Sequence, residues 1–210
     1  MIDKKENSQF EREQSYFLEK LDFLNWYRFF FIIKEIVMFK PKNVLEIGEG
    51  SGIVRRAVEP IVNNYETMDV NKNLKPAYLN DIRNFLPQLK EKFACVVAAD
   101  VLEHLPFENL ETALKNINAY LKIGGRALIT IPHRSHYLLW MTSLRHKPRI
   151  LRMPTLKRLI GKTWIDPDHQ WEIGDGKHKI KDVERTMKKV GFNVEKLQKL
   201  LYVDFWVLKK

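Results

Sequence analysis

Apolar residues in the first forty positions recur at helical spacing: Phe17, Leu21 and Leu24, then Phe30, Ile33 and Val37. The spacing predicts a helical cover over residues 8–39, ended by Pro41. From there strand and helix patterns alternate. Asn43–Ile47 reads as a strand, Gly48–Gly52 as a turn, Ile53–Val62 as a helix and Tyr65–Asp69 as a second strand. A short strand precedes Asp81, and Asp81–Lys90 reads as a helix. Phe93–Ala99 is a continuous apolar run, as expected of a strand buried on both faces. Glu108–Leu121 is an amphipathic helix, and the strand Arg126–Ile131 follows Gly124-Gly125. The helix Ile180–Val190 is stopped by Gly191, before strands at Phe192–Leu197 and Leu201–Leu208. The alternation predicts an α/β fold with a parallel sheet and helices on both faces.

Composition changes this picture little. A chain of 210 residues, 45% hydrophobic, fits one domain with a real core. The reading divides it into a cover (1–40), a core (41–133), an insertion (134–165) and a closing helix with strands (166–210). Cys95 stands alone in an apolar run, so no internal disulfide and no Cys-rich zinc pattern is encoded. The start is charged and lacks an apolar core like that of a secretory signal. Phe29–Phe39 is too short to span a bilayer and is broken by Lys34 and Glu35. A cytoplasmic protein is expected.

Charge changes it more. The net charge is +10. Between Glu111 and Asp166 there are eleven Lys and Arg and no acidic residue, so the basic character is regional.

The stretch Val44-Leu-Glu46-Ile-Gly48-Glu49-Gly50-Ser-Gly52 carries the most chemistry. A strand runs into a glycine turn that lets backbone approach a ligand, at the strand end where open α/β sheets bind ligands. The three glycines form G-x-G-x-G, and Ile53 stands where a dinucleotide fingerprint has its third glycine. Glu46 and Glu49 would repel a pyrophosphate but attract a ligand bearing an ammonium and a sulfonium. Asp69, 23 residues after Glu46, sits where a carboxylate commonly accepts ribose hydroxyls. Asp81 is placed to accept from an adenine amino group. Taken singly, the glycines read as a turn and either aspartate as a helix cap.

LEIGEGSG, with Glu46 in the acidic position, resembles motif I of the class I S-adenosylmethionine-dependent methyltransferases. Met68-Asp69-Val70 resembles their ribose-binding strand end and Asn80-Asp81-Ile82 their adenine-binding turn. AADVLEHL and GGRALITIP resemble the fourth and fifth strands of the "type 11" group. The resemblance covers residues 40–133, with a weaker echo at 168–208. It implies S-adenosylmethionine as cofactor and a Rossmann-like, seven-stranded, mostly parallel sheet whose last strand is antiparallel. It places the cofactor on Glu46, Ile47, Gly48, Glu49, Gly50, Gly52, Asp69, Val70, Asp81, Ile82, Ala99 and Asp100.

Asp100-Val-Leu-Glu103-His104 also resembles the E-x-x-E-H stretch of two O-methyltransferase groups, acting on quinone precursors and on the 3′ ends of small RNAs. Asp168-His169-Gln-Trp-Glu172 resembles a later D-H-x-F-E-W segment of the RNA group. That likeness implies a divalent metal held by Asp100, Glu103, His104 and His169 and acidifying an acceptor hydroxyl. Asp100 departs from the pattern by one methylene. In the bland alternative His104 packs near the pocket and Glu103 caps the next segment. His104 and His133, which follows the fifth strand, are candidate general bases; His133 also reads as a structural loop histidine.

Residues 134–165 mix cations with aromatic and aliphatic residues. They read as a lid, as an element on an anionic membrane surface that would hold the protein at the membrane periphery, or as a site for RNA or another anionic substrate. The aromatic N-terminal segment reads as a cover over the pocket or the sheet edge. The expected activity is O-methylation of a small-molecule or lipid- or sugar-linked acceptor. Its rivals are an RNA-directed 2′-O-type enzyme and a non-catalytic binding module. The motif of amino-group DNA methylases is absent after the fourth strand.

Overall fold

The computed structural model describes residues 11–134 and 166–210 in full, and residues 137–144 and 147–154 as backbone. Seven strands form the main sheet: β1 (Asn43–Ile47), β2 (Asn64–Asp69), β3 (Tyr78–Leu79), β4 (Phe93–Ala99), β5 (Leu121–Pro132), β8 (Asn193–Lys199) and β9 (Val203–Lys209). Their order is β3-β2-β1-β4-β5-β9-β8. The first five are parallel, and β9 runs antiparallel to both β5 and β8. This is the Rossmann-like, mostly parallel sheet with an antiparallel last strand. Strands β6 (Tyr137–Leu144) and β7 (Lys147–Pro154) pair as a separate antiparallel hairpin. The lid, membrane and RNA readings of the insertion rest on side chains outside the described residues.

Helices cover both faces. On one face α4 (Leu110–Tyr120) and α5 (Ile180–Lys189) bury Leu114, Ile117, Val183 and Met187 against Val96, Ile129 and Trp206. On the other, α2 (Phe23–Phe39) and α3 (Ile53–Val58) bury Ile32, Ile36, Val54 and Val58 against Val44, Val97 and Phe205. Strand β9 alternates between the two, with Trp206 and Leu208 in one core and Phe205 and Val207 in the other. Among the described residues the longest α-helix has 17 residues, and no helix is long and apolar enough to cross a membrane.

Several elements differ from the sequence pattern. Over its described part, residues 11–39, the helix expected at 8–39 is two, α1 (Gln14–Glu19) and α2, separated at Lys20–Asp22; residues 8–10 lie outside the described residues. The Asp22 side chain accepts from Asn25 N at 2.8 Å and caps α2, so the local hydrogen bond overrides the continuous apolar spacing. The helix expected at Ile53–Val62 stops at Val58, where Pro60 turns the chain into a short 3-10 segment. The helix expected at Asp81–Lys90 is absent; only Pro87–Leu89 makes a 3-10 turn. There Asp81 accepts from Arg83 N, Asn80 donates to the carbonyls of Asp81 and Asn84, and Leu86 N donates to Tyr120 Oη. Side chains have captured the backbone groups a helix would need.

Candidate functional site

The carboxyl ends of β1, β2 and β4 lie side by side and open on a cleft of about 440 Å³. Its walls include Glu46, Ile47, Gly48, Glu49, Gly50, Asp69, Val70, Asp81, Ile82, Ala99 and Asp100. Gly52, the remaining expected cofactor residue, lies outside the wall and starts α3. Gly48 has φ +73°, and a Cβ there would come within 2.5 Å of Val101 Cγ2. Gly52, at φ +68°, would put a Cβ 2.5 Å from the Gln14 side chain. Both positions favour glycine for conformation, and Gly48 also for the close approach of Val101, whereas the Gln14 side chain can move away from position 52.

Acid crowds this cleft. Glu46 and Glu49 are buried. The Glu46 carboxyl is raised to about 8, mainly by burial, with Glu49 and Asp69 contributing against the opposing hydrogen bond from Tyr65 Oη at 2.7 Å. Burial raises Asp69 to about 6, with Glu49 adding to it while the backbone N–H of Asn71 donates at 2.8 Å. Glu49 is raised too, mainly by burial, and Arg55 lies 3.4 Å away. A cationic ligand would relieve all three. Asp81 is clasped by Arg83, whose Nε is 2.9 Å from Oδ2.

The N-terminal segment crosses the cleft. Arg12, Tyr16 and Phe17 form part of its wall. Asn71 Nδ2 donates to the Arg12 carbonyl at 2.7 Å, and Asn73 Nδ2 to the Glu11 carbonyl at 2.8 Å. Arg12 reaches Asp168 with Nη1 at 3.0 Å from Oδ2.

Asp100 ends β4 with φ +54°, a left-handed conformation that a non-glycine residue adopts only when held there. Arg28, from the middle of α2, ion-pairs with its Oδ2, and Thr130 Oγ1 donates to its Oδ1 at 2.5 Å. Beyond Asp100 lies a second cavity, lined by Asp22, Asn25, Asp100, His133, Arg134, Asp166, His169, Glu172 and Tyr202 among others. Asn25, Asp100, Asp166 and His169 belong to both cavities, so the two adjoin.

Among the described residues, one cluster has metal-ligand chemistry: Glu103, His104 and His169. Nε2 of each histidine lies 3.9 Å from Glu103 Oε1. His104 Nδ1 is 2.9 Å from the Asp168 carbonyl, and His169 Nδ1 is 2.8 Å from Glu172 Oε1. Those bonds turn both Nε2 lone pairs inward, as the outer partners of metal-bound histidines do. Burial lowers His104 to about 4, so its imidazole is neutral and able to ligate. Glu103 is fully buried and neither carboxylate oxygen has a hydrogen-bond partner. Burial raises it to about 8. The donor set fits a divalent ion. Asp100, expected as a fourth ligand, is engaged by Arg28 and Thr130 outside this cluster.

Residues 27–197 match the family model described as "Methyltransferase domain". The chain belongs to that family. It is a methyltransferase, and the acidic cleft at the strand ends is where the family resemblance puts the methyl donor. No curated protein matches the sequence. Solved structures show the same fold. The N-methyltransferase NodS from Bradyrhizobium japonicum, crystallised with S-adenosylhomocysteine, superposes with a TM-score of 0.62 at 14% identity over 99% of each chain. A methyltransferase from Clostridium acetobutylicum gives 0.60 at 14% identity, over 91% of this chain and 93% of that one. The 1,6-didemethyltoxoflavin N1-methyltransferase from Burkholderia thailandensis gives 0.59 at 13% identity, over 85% and 75%.

Sequence reasoning passed over Arg12 and Arg28, which fix the methyltransferase's walls, and Asp204, a buried acid behind the second cavity. Arg28 and Asp204 did leave a signal: each is a lone charge in an apolar run, Trp26-Tyr-Arg28-Phe-Phe and Tyr202-Val-Asp204-Phe-Trp.

The state of Glu103 is testable in the metal-free protein. A carboxyl raised to about 8 from the usual 4.5 contributes stability that is complete below 4.5 and lost as pH rises through 8. Glu103→Gln stays neutral throughout. Its stability relative to wild type therefore rises between pH 5 and pH 9, on the order of a few kcal/mol. Urea unfolding at both pH values in chelator checks this; an equal difference at the two would contradict it.

Proposed function

We propose that this methyltransferase moves the methyl group of S-adenosylmethionine to an oxygen of a small-molecule acceptor held in the second cavity. The observation that carries the reading is the sharing of Asn25, Asp100, Asp166 and His169 by the two cavities. A donor bound among Glu46, Glu49 and Asp69 would face an acceptor across Asp100. S-adenosylmethionine supplies a methyl carbon on a sulfonium: its C–S bond breaks, the electron pair stays on sulfur, and an O–C bond forms. The chain's task is to hold the two reactants in line, which can supply roughly 7–11 kcal/mol, and to take up the hydroxyl proton. Asp69 is the carboxylate placed for the ribose hydroxyls, and Glu46 and Glu49 supply the negative field for the cationic end. The solved structures include N-methyltransferases, so oxygen rather than nitrogen is this proposal's own step.

Binding of S-adenosylhomocysteine, read as a thermal shift, tests the donor side. Wild type is expected to be stabilised and Asp69→Ala to lose the shift. An unchanged shift in the variant would mean that the ribose lies elsewhere.

The two unpartnered oxygens of buried Glu103 favour a second, compatible reading. In it Glu103, His104 and His169 hold a divalent cation, which would lower the pKa of a nearby hydroxyl. Calorimetric titration with Mn2+ and with Zn2+ should show one site per chain, lost in His104→Ala. No metal-dependent heat in wild type would remove the metal and leave the transfer reading intact.

A further inference from the structure

Asp204 is the second residue of β9, set between Val203 and Phe205 in an otherwise apolar stretch, and is 2% exposed. Its backbone pairs with Ile131 in β5, two residues before His133. The His133 N–H donates to the Tyr202 carbonyl at 2.9 Å, so the end of β5 is pinned beside the start of β9. This register brings His133 Nδ1 to 3.3 Å from Asp204 Oδ1. Both atoms are buried and neither has a hydrogen-bond partner. Burying a carboxylate in an apolar strand is costly, and the surrounding packing would be served by an apolar residue. The imidazole is the group that Asp204 faces.

The ring has one nitrogen toward Asp204, and His133 lines the second cavity. We infer that Asp204 and His133 form a carboxylate–imidazole dyad whose pocket-side nitrogen, Nε2, is the proton acceptor for the methyl acceptor's hydroxyl. The inference rests on the acceptor-cavity reading above and names its base. Asp204 is the positioning residue: it holds the proton on Nδ1 and leaves the Nε2 lone pair toward the cavity. When the acceptor oxygen takes the methyl carbon, its proton moves to Nε2. The imidazolium so formed is balanced by the Asp204 carboxylate, and the proton then leaves to solvent. The same cavity is lined by Asp22, Asp100, Asp166 and Glu172, with Arg134 and His169 as its basic neighbours.

The tautomer decides it without knowledge of the acceptor. Long-range proton–nitrogen correlation spectra of histidine-labelled protein at pH 8, with His133 assigned by its loss in His133→Gln, are expected to show the proton on Nδ1. Asp204→Asn, which offers an amide donor to Nδ1, is expected to move the proton to Nε2. In the same variant, modification of His133 by diethylpyrocarbonate slows about tenfold, because the reagent needs an unprotonated nitrogen. Saturating S-adenosylhomocysteine should leave that reaction unchanged, since His133 lies outside the donor cleft. A wild-type proton on Nε2 overturns the dyad by itself, even if the variant fails to fold; Asp204→Leu serves as a packing control.

Labelled methyl transfer from S-adenosylmethionine into a small-molecule cell extract supplies the chemical arm. Both Asp204→Asn and His133→Gln should lose about 10²–10⁴-fold while keeping the S-adenosylhomocysteine thermal shift. Full transfer by either variant overturns the base assignment. No transfer by wild type is a failure of the functional reading, and the tautomer still decides the dyad.

Discussion

Burial of carboxylates at one edge of a parallel sheet is the constraint on which this molecule turns. An ionised carboxylate gives up hydration when it is buried, and it recovers that loss only through hydrogen bonds or a positive partner. Here the ends of β1 and β2 bring together Glu46, Glu49 and Asp69; burial raises all three, Glu49 raises both of the others, and Asp69 raises Glu46. The right-handed parallel connections bring these ends together whatever the ligand. Gly48, at φ +73°, lets the chain turn at the end of β1 with Val101 packed close against it. The unliganded cleft is therefore primed for a positive, hydroxyl-bearing molecule, and the same acid excludes a phosphate.

A charge pair organises the boundary between the two cavities. Arg28 reaches from α2 to Asp100 at the end of β4, holding a non-glycine residue in a left-handed conformation between two cavities. Arg12 does a related task at longer range, since the Asp168 it clasps also presents its carbonyl to His104. The N-terminal segment thus touches the donor wall through Asn71 and the histidine cluster through Asp168. One strap of chain spans the donor cleft and the side chains beside it.

Much of the fold was legible in the sequence. Strands β1 and β4 keep their predicted bounds: β4 is a continuous apolar run between Lys92 and Asp100, and β1 is framed by Pro41-Lys42 and the glycine turn, so each has little choice of where it begins and stops. The failures share one cause. At Asp22 and at Asn80–Asp81, short polar side chains bond local backbone and end or prevent a helix that apolar spacing alone supports. The meeting of Glu46, Asp69 and Asp81 in one cleft was legible because these residues lie at or just past strand ends, where motif and sheet topology coincide. The second cavity was not, since its walls come from positions as distant as Asp22, Asp100, Glu172 and Tyr202, and no periodicity encodes such a meeting. A lone charge in an apolar run, as at Arg28 and Asp204, was the available trace.

Proton release on donor binding tests the central claim most directly. With Glu46 raised to about 8 and Asp69 to about 6, the free cleft carries protons near neutral pH. Arrival of the cationic end of S-adenosylmethionine favours the ionised carboxylates, so those protons must leave. Calorimetry of S-adenosylmethionine binding at pH 6.5, in buffers of different ionisation enthalpy, measures this. The account predicts net proton release, and affinity that climbs from pH 5 to pH 8. Proton uptake, or heat independent of the buffer, would contradict it.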